Sequence, residues 1–572
     1  MKTAIFISIL SALSILTACN YKNNETEQAG LAKVNEMPNH PTPYKMLDWN
    51  EKAKKFDEIV FNFQADSPGE PLIWLDSAKR NFSQITFGLF TVIGDVRQGQ
   101  DVNNGEFHEA INSLGALLSA GLVGIDKTNQ KNYNYVKMVQ NYFNSDNGWN
   151  IMMNNTSEEI AMLGGGYGRD WWYDIFPNVL YYAVSDLFTG VERADSLQII
   201  IAEQFFKADS VLDGNYDFSY FDYSTMEGKR NQITYQQDAA AGHAWVLYAA
   251  YQKFGDHRYL DGAISALDAL YSQTESRFYE ILMPFGAYTA ARLNAEFDTR
   301  YDISTLLSWT FEGCIAEEGR TGWGIINDRW GEYDVSGILG NIIQEGGYAF
   351  LMNTFDMAWP LVPMVRYDPR YAKVIAKWML NAANSARLFY PYEIPDENQW
   401  LPGEKVVTRN VIAYEGLKKT DLFNKDELKG ISPVALGDGP NWVVGQPPIS
   451  MFSIYGSAHA GIFGSIIRET NVEQILQLNC LATDFYRNPA FPTYLYYNPF
   501  DDDKEIEYFN YNEPVDLYDA ISHRIVATHI SDTGYFTLPA NQAMLIVVIP
   551  AKSKPERTGD KIMLNDIVIA YK

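Results

Sequence analysis

The sequence predicts a mainly α fold, a toroid of helical hairpins followed by a small C-terminal antiparallel β domain. Three observations lead to this prediction. Helical apolar patterns recur in pairs from about residue 57 to residue 488, long polar loops interrupt the pairs, and short strand-like segments follow residue 489. Because one helix pair cannot bury its own apolar face, repeated pairs indicate that neighbouring pairs cover one another.

Four helical hairpins can be delimited. Segment 243–252 is apolar around nearly its whole circumference, which is typical of a helix that is buried on most sides. The predicted pairs are 174–188 with 195–206, 243–252 with 259–271, 288–296 with 303–311, and 348–365 with 371–388. Three of the turns share the pattern Asp-x-Arg-Tyr, starting at Asp256, Asp298 and Asp368, and we expect each aspartate to cap the following helix.

A closed ring is favoured over an open solenoid. The hairpins are irregularly spaced, and three long loops, 216–232, 315–340 and 391–407, interrupt them. Loops of this length in a compact domain are usually functional, and these three are rich in Trp, Tyr, Asp, Arg and Gly.

The C-terminal part reads as a compact antiparallel β module. Its predicted strands are 493–498, 505–511, 515–520, 524–530, 535–538 and 543–549. The segment 544–549 is continuously apolar, so we expect that strand to be central in the sheet.

The N-terminus predicts export. Lys2 precedes an apolar run, 4–16, that is too short to span a bilayer stably, and Leu16-Thr17-Ala18-Cys19 resembles a bacterial lipobox. This resemblance implies cleavage before Cys19, lipid attachment to its sulfur and anchoring to a bacterial membrane. A plain secretory peptide with an incidental cysteine is the alternative. We therefore expect a signal peptide over 1–18, lipidated Cys19 and a flexible tether over 19–45, the toroid over 46–488 and a β-sandwich-like domain over 489–572.

The amino-acid composition excludes some classes of function. The 71 acidic and 45 basic residues give a net charge of −26, which disfavours a nucleic-acid partner. After Cys19 only Cys314 and Cys480 remain, so no zinc cluster or disulfide framework is expected, and we expect both to be buried as small apolar residues. The sequence predicts neither a metal nor a cofactor.

A helical toroid with a β module behind it resembles the (α/α) toroid superfamily of glycoside hydrolases and polysaccharide lyases. The resemblance covers nearly the whole mature chain but is architectural and points to no single family. It implies a carbohydrate-active enzyme without fixing the reaction.

The densest group of candidate site residues lies at 164–174, where glycines lead into a helix. Catalytic candidates there are Asp170 and Asp174, which share a helix face, and binding candidates are Arg169, Trp171, Trp172 and Tyr173. The alternative is a helix N-terminus whose acids are favoured by the helix dipole, with core aromatics beside it.

A second group lies at 227–245. Tyr235 or His243 is a candidate to remove a proton, and Arg230 and Asn231 are candidates to neutralise a substrate carboxylate. This segment is similar in kind to the site loop of toroidal lyases but departs from it in spacing. For His243 the alternative is a core histidine. Asp238 is a further catalytic candidate.

Two further groups complete the candidates. Trp323 and Trp330 are expected to bind substrate, and Glu345 is a candidate acid at a helix start. Asp438 and His459 lie on loops that would close the ring, and His459 is a further candidate to bind substrate, although each of the two alone is more often structural.

Two reactions compete. β-Elimination on a uronate sugar needs Arg, Asn, Tyr and His, all present in the second group, and would give an unsaturated uronate. Hydrolysis needs two carboxyls, for which Asp170, Asp174, Asp238 and Glu345 are candidates. We favour elimination on an acidic oligo- or polysaccharide, because Arg and Tyr accompany the acids in every group. A surface glycan-binding lipoprotein without catalysis is the third interpretation.

Overall fold

The structure is a computed structural model of the chain. It describes residues 25–67, 69–79, 81–91, 93, 109–145, 148–155, 170–341, 343, 347–421, 425–437 and 451–571. The predictions for Cys19, Arg169, Glu345 and Asp438 therefore lie outside the described residues.

Helices dominate the first part of the chain. They are α1 (Ala32–Asn35), α2 (Trp49–Val60), α3 (Ala110–Leu122), α4 (Tyr135–Met138), α5 (Trp171–Leu187), α6 (Ala194–Leu212), α7 (Ala239–Phe254), α8 (His257–Tyr271), α9 (Met283–Glu296), α10 (Ile303–Glu312), α11 (Leu351–Tyr367), α12 (Ala372–Ala386), α13 (Ile454–Ser457) and α14 (Gly461–Ile466). The four predicted hairpins are confirmed as α5 with α6, α7 with α8, α9 with α10 and α11 with α12.

Six of these helices contact one another in cyclic order. Helix α3 packs on α5, α5 on α7, α7 on α9, α9 on α11, α11 on α14, and α14 returns to α3. We call this set the six-helix ring. Helices α2, α6, α8, α10 and α12 pack against its outside. The inner helices are therefore covered on most sides, which explains why so few polar residues interrupt the first three turns of α7.

Small residues let the ring helices approach closely. A Cβ added to Gly242 of α7 would lie 2.4 Å from Cγ2 of Ile175 on α5, closer than two carbon atoms can come without a shift. The neighbouring alanines of the same helix, Ala240, Ala241 and Ala244, are fully buried as well. The close contact between α5 and α7 thus depends on the absence of a side chain at one position.

The predicted caps are confirmed in two of the three turns. The side chains of Asp256 and Asp368 accept hydrogen bonds from the backbone N–H groups two residues later. At the third turn the prediction that Asp298 caps the following helix is wrong, because Asp302 caps α10 by accepting a hydrogen bond from the N–H of Ser304. The helix starts at Ile303, as predicted, and the capping role falls to Asp302 because it directly precedes the first helical residue, whereas Asp298 lies four residues further back.

Strands also occur within the helical part. The first group is β1 (Ile73–Asp76), β2 (Thr86–Leu89), β3 (Tyr220–Asp222), β4 (Glu227–Lys229), β5 (Trp323–Ile325), β6 (Arg329–Trp330), β7 (Tyr333–Asp334), β8 (Leu339–Asn341), β9 (Tyr348–Phe350), β10 (Ala413–Tyr414), β11 (Gly416–Lys418), β12 (Val434–Leu436) and β13 (Phe452–Ser453). Strands β12, β11, β9, β8 and β5 form one sheet in that order. The expectation of non-helical loops over 216–232 and 315–340 is thus refined, since both segments contain strand pairs.

The C-terminal β module starts earlier than residue 489. Its strands are β14 (Ile467–Glu469), β15 (Leu476–Asn479), β16 (Thr493–Tyr497), β17 (Lys504–Phe509), β18 (Val515–Asp519), β19 (Arg524–Ile530), β20 (Thr533–Leu538), β21 (Ala543–Pro550), β22 (Glu556–Thr558), β23 (Lys561–Leu564) and β24 (Ile567–Tyr571). One antiparallel sheet has the order β14-β15-β16-β21-β18-β19, so β21 is internal, as predicted from its apolar run. Strands β17 and β20 pair separately, and buried side chains such as Ile506 and Phe536 pack with the sheet.

The prediction of a flexible tether over 19–45 is wrong for its described part. Leu31, Val34 and Met37 are buried in the core, and the N–H of Thr26 donates to the carbonyl of Ile521 in the β module. These three apolar side chains recur every three residues in an otherwise polar stretch, and that spacing is enough to dock one face of a short helix.

Both remaining cysteines are buried and free, as predicted. Within the described ranges, no helix combines the length and the apolar character needed to cross a membrane.

Candidate active site

The N-terminal ends of four of the six ring helices border a cavity of about 430 Å³, called here the ring cavity. Glu109 is the N-cap of α3, Asp170 that of α5 and Phe350 that of α11, while Glu280 precedes α9. The cavity is lined by Thr91, Glu109, Asp170, Trp172, Tyr173, Gln232, Ile233, Thr234, Tyr279, Glu280, Gly319, Arg320, Phe350, Asn353, Glu415 and Tyr455. Its volume is in the range of pockets that hold small ligands.

Asp170 is a buried carboxyl with neutral hydrogen-bond donors. Its Oδ1 accepts hydrogen bonds from Nε2 of Gln236 at 2.7 Å and from the hydroxyl of Tyr279 at 3.0 Å. Burial raises the pKa of Asp170 to about 6, although both hydrogen bonds and the charge of Arg320 act in the opposite direction. Both of these bonds end on Oδ1, so Oδ2 remains for a ligand in the cavity.

Glu280 lies in a contrasting environment. It forms an ion pair with Arg320, and its Oε2 accepts a hydrogen bond of 2.8 Å from Nδ2 of Asn353. The guanidinium of Arg320 lies 3.7 Å from the ring centroid of Trp323, whose Nε1 in turn donates to the carbonyl of Glu280. A paired cation and an amide donor both favour the charged form of a carboxyl group.

A second set of groups, called the Glu109 group, comprises Thr91, Glu109, Tyr173, Glu415 and Tyr455. The Thr91 hydroxyl donates to Glu109, and the backbone N–H of Tyr455 donates to the carbonyl of Thr91. The phenols of Tyr173 and Tyr455 lie close enough for each to influence the pKa of the other. Burial, with Glu109 nearby, raises the pKa of both phenols well above the usual range, so both are neutral at ordinary pH.

Ring faces are available beside these acids. The rings of Trp172 and Tyr173 are tilted by 35° with their centroids 3.9 Å apart, and both line the cavity together with Tyr279 and Phe350. Aromatic faces of this kind can pack against the apolar faces of sugar rings.

Charge in the cavity is strongly acidic. The described lining residues include four carboxyls, those of Glu109, Asp170, Glu280 and Glu415, against the single cation of Arg320. Arg320, the one cation among the described lining residues, is already paired with Glu280, so these residues offer an anionic ligand no free cation.

The structure brings three residues of the first predicted group to the cavity, Asp170, Trp172 and Tyr173. It places the other two described members elsewhere. Trp171 is fully buried and stacks on Tyr216, with centroids 5.4 Å apart, and Asp174 is buried one turn below without lining the cavity. Successive side chains of a helix point in different directions, so only some residues of the first turn of α5 can face the cavity.

The second predicted group does not assemble. His243 is fully buried, its Nε2 is 2.8 Å from the hydroxyl of Tyr223, and burial lowers its pKa to about 3. Tyr235 and Arg230 stack on one another, with the guanidinium 4.2 Å from the ring centroid, and Arg230 donates to the carbonyl of Asp217. Neither these residues nor Asn231 lines the ring cavity. The prediction of His243 as a base on substrate is therefore wrong, because aromatic side chains enclose its ring.

Asp238 also lies behind the cavity. Its Oδ2 accepts the backbone N–H of Tyr279 at 3.0 Å, and burial raises its pKa to about 7. It therefore holds the segment that carries Tyr279 and Glu280, and does not line the cavity itself.

The remaining described candidates are structural. Trp323 is fully buried beneath Arg320, and Trp330 is buried with its Nε1 bonded to Asp328. His459 is fully buried, with Nδ1 2.7 Å from Asp356 and Nε2 3.3 Å from the carbonyl of Ile111. Of the two roles considered for His459, the structure supports the structural one over substrate binding, since His459 joins α3, α11 and α14 inside the ring.

Several cavity residues were missed, namely Glu109, Tyr279, Glu280, Arg320, Asn353, Glu415 and Tyr455. Glu109, Asp170 and Glu280 share one signal, an acid at or just before the start of an inner helix. In the described ranges there is no group of three or more His, Cys, Asp and Glu side chains placed to hold a metal ion.

No protein-family model and no curated protein matches the chain. Solved structures are similar at low identity. A GH127 β-L-arabinofuranosidase from Geobacillus stearothermophilus T6 is 10% identical over 92% of this chain and 85% of its own, with a TM-score of 0.31. A GH127 β-arabinofuranosidase is 10% identical over 93% and 84%, with a TM-score of 0.35. A structure described as a glycoside hydrolase is 9% identical over 96% and 84%, with a TM-score of 0.37. Values this low assign the chain to no family.

Proposed function

We propose that this chain is a carbohydrate-active enzyme, a glycoside hydrolase, that cleaves its substrate in the ring cavity. One observation carries the proposal: two carboxyls of the same cavity lie in opposite environments. Burial favours the protonated form of Asp170, whereas Arg320 and Asn353 favour the charged form of Glu280. Carboxyls in such opposite environments are typical of glycoside hydrolases in which one carboxyl donates a proton and the other stays charged.

In the proposed reaction Asp170 donates a proton to the leaving-group oxygen. Its neighbours Gln236 and Tyr279 hold the carboxyl in place through Oδ1. Glu280 stabilises the positive charge that develops on the sugar ring. The carboxyl that activates water belongs in this proposal to the Glu109 group, whose neutral phenols Tyr173 and Tyr455 bind sugar hydroxyls.

Hydrolysis fits the cavity better than elimination does. Elimination needs a cation free to neutralise a uronate carboxylate and a base beside the α-carbon. Arg320, the one described cation of the cavity, is paired with Glu280, and Tyr235 and His243 lie outside the cavity. The excess of carboxyls among the described lining residues favours a neutral glycan over an acidic one.

The six-helix ring belongs to the same proposal. Its cyclic contacts and the position of the cavity at one end of it support an (α/α) toroid. Export and lipid anchoring through Cys19 remain a proposal from the sequence. Partition of the expressed chain into a detergent phase, lost in Cys19→Ser, is the expected result, and partition of both forms into water contradicts it.

The reaction can be tested with a panel of neutral plant polysaccharides, their nitrophenyl glycosides and uronate polymers. We expect new reducing ends without the ultraviolet absorbance of a new C=C bond. Asp170→Asn and Glu280→Gln should each lower kcat by roughly a hundredfold or more, the size of a general acid or charge-stabilising contribution.

Tyr235→Phe is the matched control and should leave kcat within about twofold, since a residue outside the cavity loses only a surface contact. The appearance of the C=C absorbance, abolished in Tyr235→Phe, would establish elimination. Glycan binding without turnover on any substrate would instead establish a binding lipoprotein.

A further inference from the structure

A second concavity, of about 770 Å³, lies on the C-terminal β module and is called here the β-module groove. Side chains of β14 to β17 and of the loop 510–514 line it. It shares no lining residue with the ring cavity. The proposed reaction therefore does not account for it.

Several of the aromatic rings that line the β-module groove are accessible. Tyr511 is 86% exposed and Phe509 is 50% exposed, while Tyr494 and Tyr508 form a half-buried pair with centroids 6.5 Å apart. Folding gains little from rings left in water, whereas rings along a groove give a ligand flat apolar faces.

The groove is also lined by polar groups to which the described residues supply no hydrogen-bond partner. In the described part of the chain, no hydrogen bond involves the guanidinium of Arg468, the side-chain amide of Asn512 or the hydroxyl of Tyr508. Other lining groups are used to build the groove. The amide of Asn510 donates to the carbonyls of Asn512, Glu513 and Ile530 and so fixes the loop. A fixed loop reduces the entropy lost on binding.

The charged residues of the β-module groove restrict the class of ligand that it can bind. Glu469, Glu507 and Glu513 line the groove against Arg468, so a polyanion would be repelled. A neutral polyol with apolar ring faces and many hydroxyls matches the alternation of aromatic rings and hydrogen-bonding groups.

We propose that the β-module groove binds a segment of a neutral polysaccharide, separately from the ring cavity. The identity of the ligand as a glycan follows the proposed function, whereas the groove itself does not depend on it. Binding at a second site would raise the concentration of polymer at the ring cavity without changing the chemistry there.

Affinity electrophoresis of the full chain tests whether the β-module groove binds a neutral polysaccharide. Native gels would contain arabinan, arabinogalactan, xyloglucan or mannan as neutral polymers, and polygalacturonate as the anionic one, with Asp170→Asn as the parent so that no polymer is cleaved. We expect at least one neutral polymer to retard the parent. Tyr508→Ala with Tyr511→Ala should weaken that retardation about tenfold, as expected for loss of aromatic anchors.

Tyr392→Ala is the matched control, because Tyr392 is 50% exposed, like Phe509, but lies outside the groove. It should bind as the parent does. Retardation by no neutral polymer, by polygalacturonate alone, or equally in the groove variants would overturn the proposal. With Asp170 intact, the groove variants should keep full activity on short glycosides, so failure here is distinguishable from failure of the proposed hydrolysis.

Discussion

The hydroxyl of Tyr279 donates a hydrogen bond of 3.0 Å to Asp170, a residue 109 positions earlier in the chain. The backbone N–H of the same tyrosine donates to Asp238. A buried carboxyl thus positions a phenol, and the phenol positions the carboxyl that faces the ring cavity. Asp238, Tyr279 and Asp170 therefore form one chain of hydrogen bonds that runs from the core to the cavity.

Replacing Tyr279 with Phe should shift the pH dependence of the proposed reaction. The hydrogen bond from Tyr279 lowers the pKa of Asp170, so its loss raises that pKa and keeps the proton donor protonated to higher pH. We expect the basic limb of the kcat/KM profile to move up by about half to one pH unit, the worth of one hydrogen bond. An unmoved limb, or one moved to lower pH, would contradict the role of Asp170 as the acid.

Asp238→Asn should remove a pH dependence of stability. Burial raises the pKa of Asp238 to about 7 in the folded chain, against about 3.9 when unfolded, so folding binds a proton between these values. Its contribution to stability is present below about pH 4 and lost as the pH rises through 7. The asparagine variant should therefore gain roughly 2–4 kcal/mol over wild type between pH 4 and 8. Urea unfolding of both proteins at several pH values measures the difference, and a constant difference would contradict the burial effect.

Arg320→Lys should impair activity more than the same change at Arg277. Arg320 both pairs with Glu280 and stacks on Trp323, and lysine cannot keep the planar stacking. We expect kcat/KM to fall about tenfold or more. Arg277 lies near Glu318 outside the cavity, and Arg277→Lys should stay within about twofold. Equal effects of the two changes would assign Arg320 a general structural role only.

Gly242→Ala should destabilise the ring. The added Cβ would lie 2.4 Å from Ile175, and the two buried helices have to separate to admit it. We expect a loss of about 1–3 kcal/mol in the free energy of unfolding. Gly403→Ala is the control, since nothing lies within 4 Å of the added Cβ and the change should cost under about 0.5 kcal/mol. Similar urea midpoints for the two variants would show that the helices tolerate the extra volume.

The local spacing of apolar residues was sufficient to predict most helices and strands. The four hairpins and the strands from 493 to 550 follow from helical and alternating periodicities, which depend on neighbours within a few residues. The sequence did not predict the docked segment around Leu31 or the early strands β14 and β15. Their apolar residues are few, and their partners lie far along the chain.

The site was predicted only in part. Asp170, Trp172 and Tyr173 were found because acids and aromatic residues crowd one helix start. His243 and His459 were chosen for their side-chain chemistry, and only packing places both inside the ring, enclosed by core residues. Glu280 and Arg320 are ordinary charged residues in the sequence and become a pair when two separate segments meet.

The sequence by itself therefore determined the paired helices, the β module behind them and the acidic character of the protein. The tertiary structure alone decided which acids share a cavity and which face the core. The physical reason is that the cyclic contacts of α3, α5, α7, α9, α11 and α14 bring helix ends together from across the chain, and no local spacing encodes those contacts.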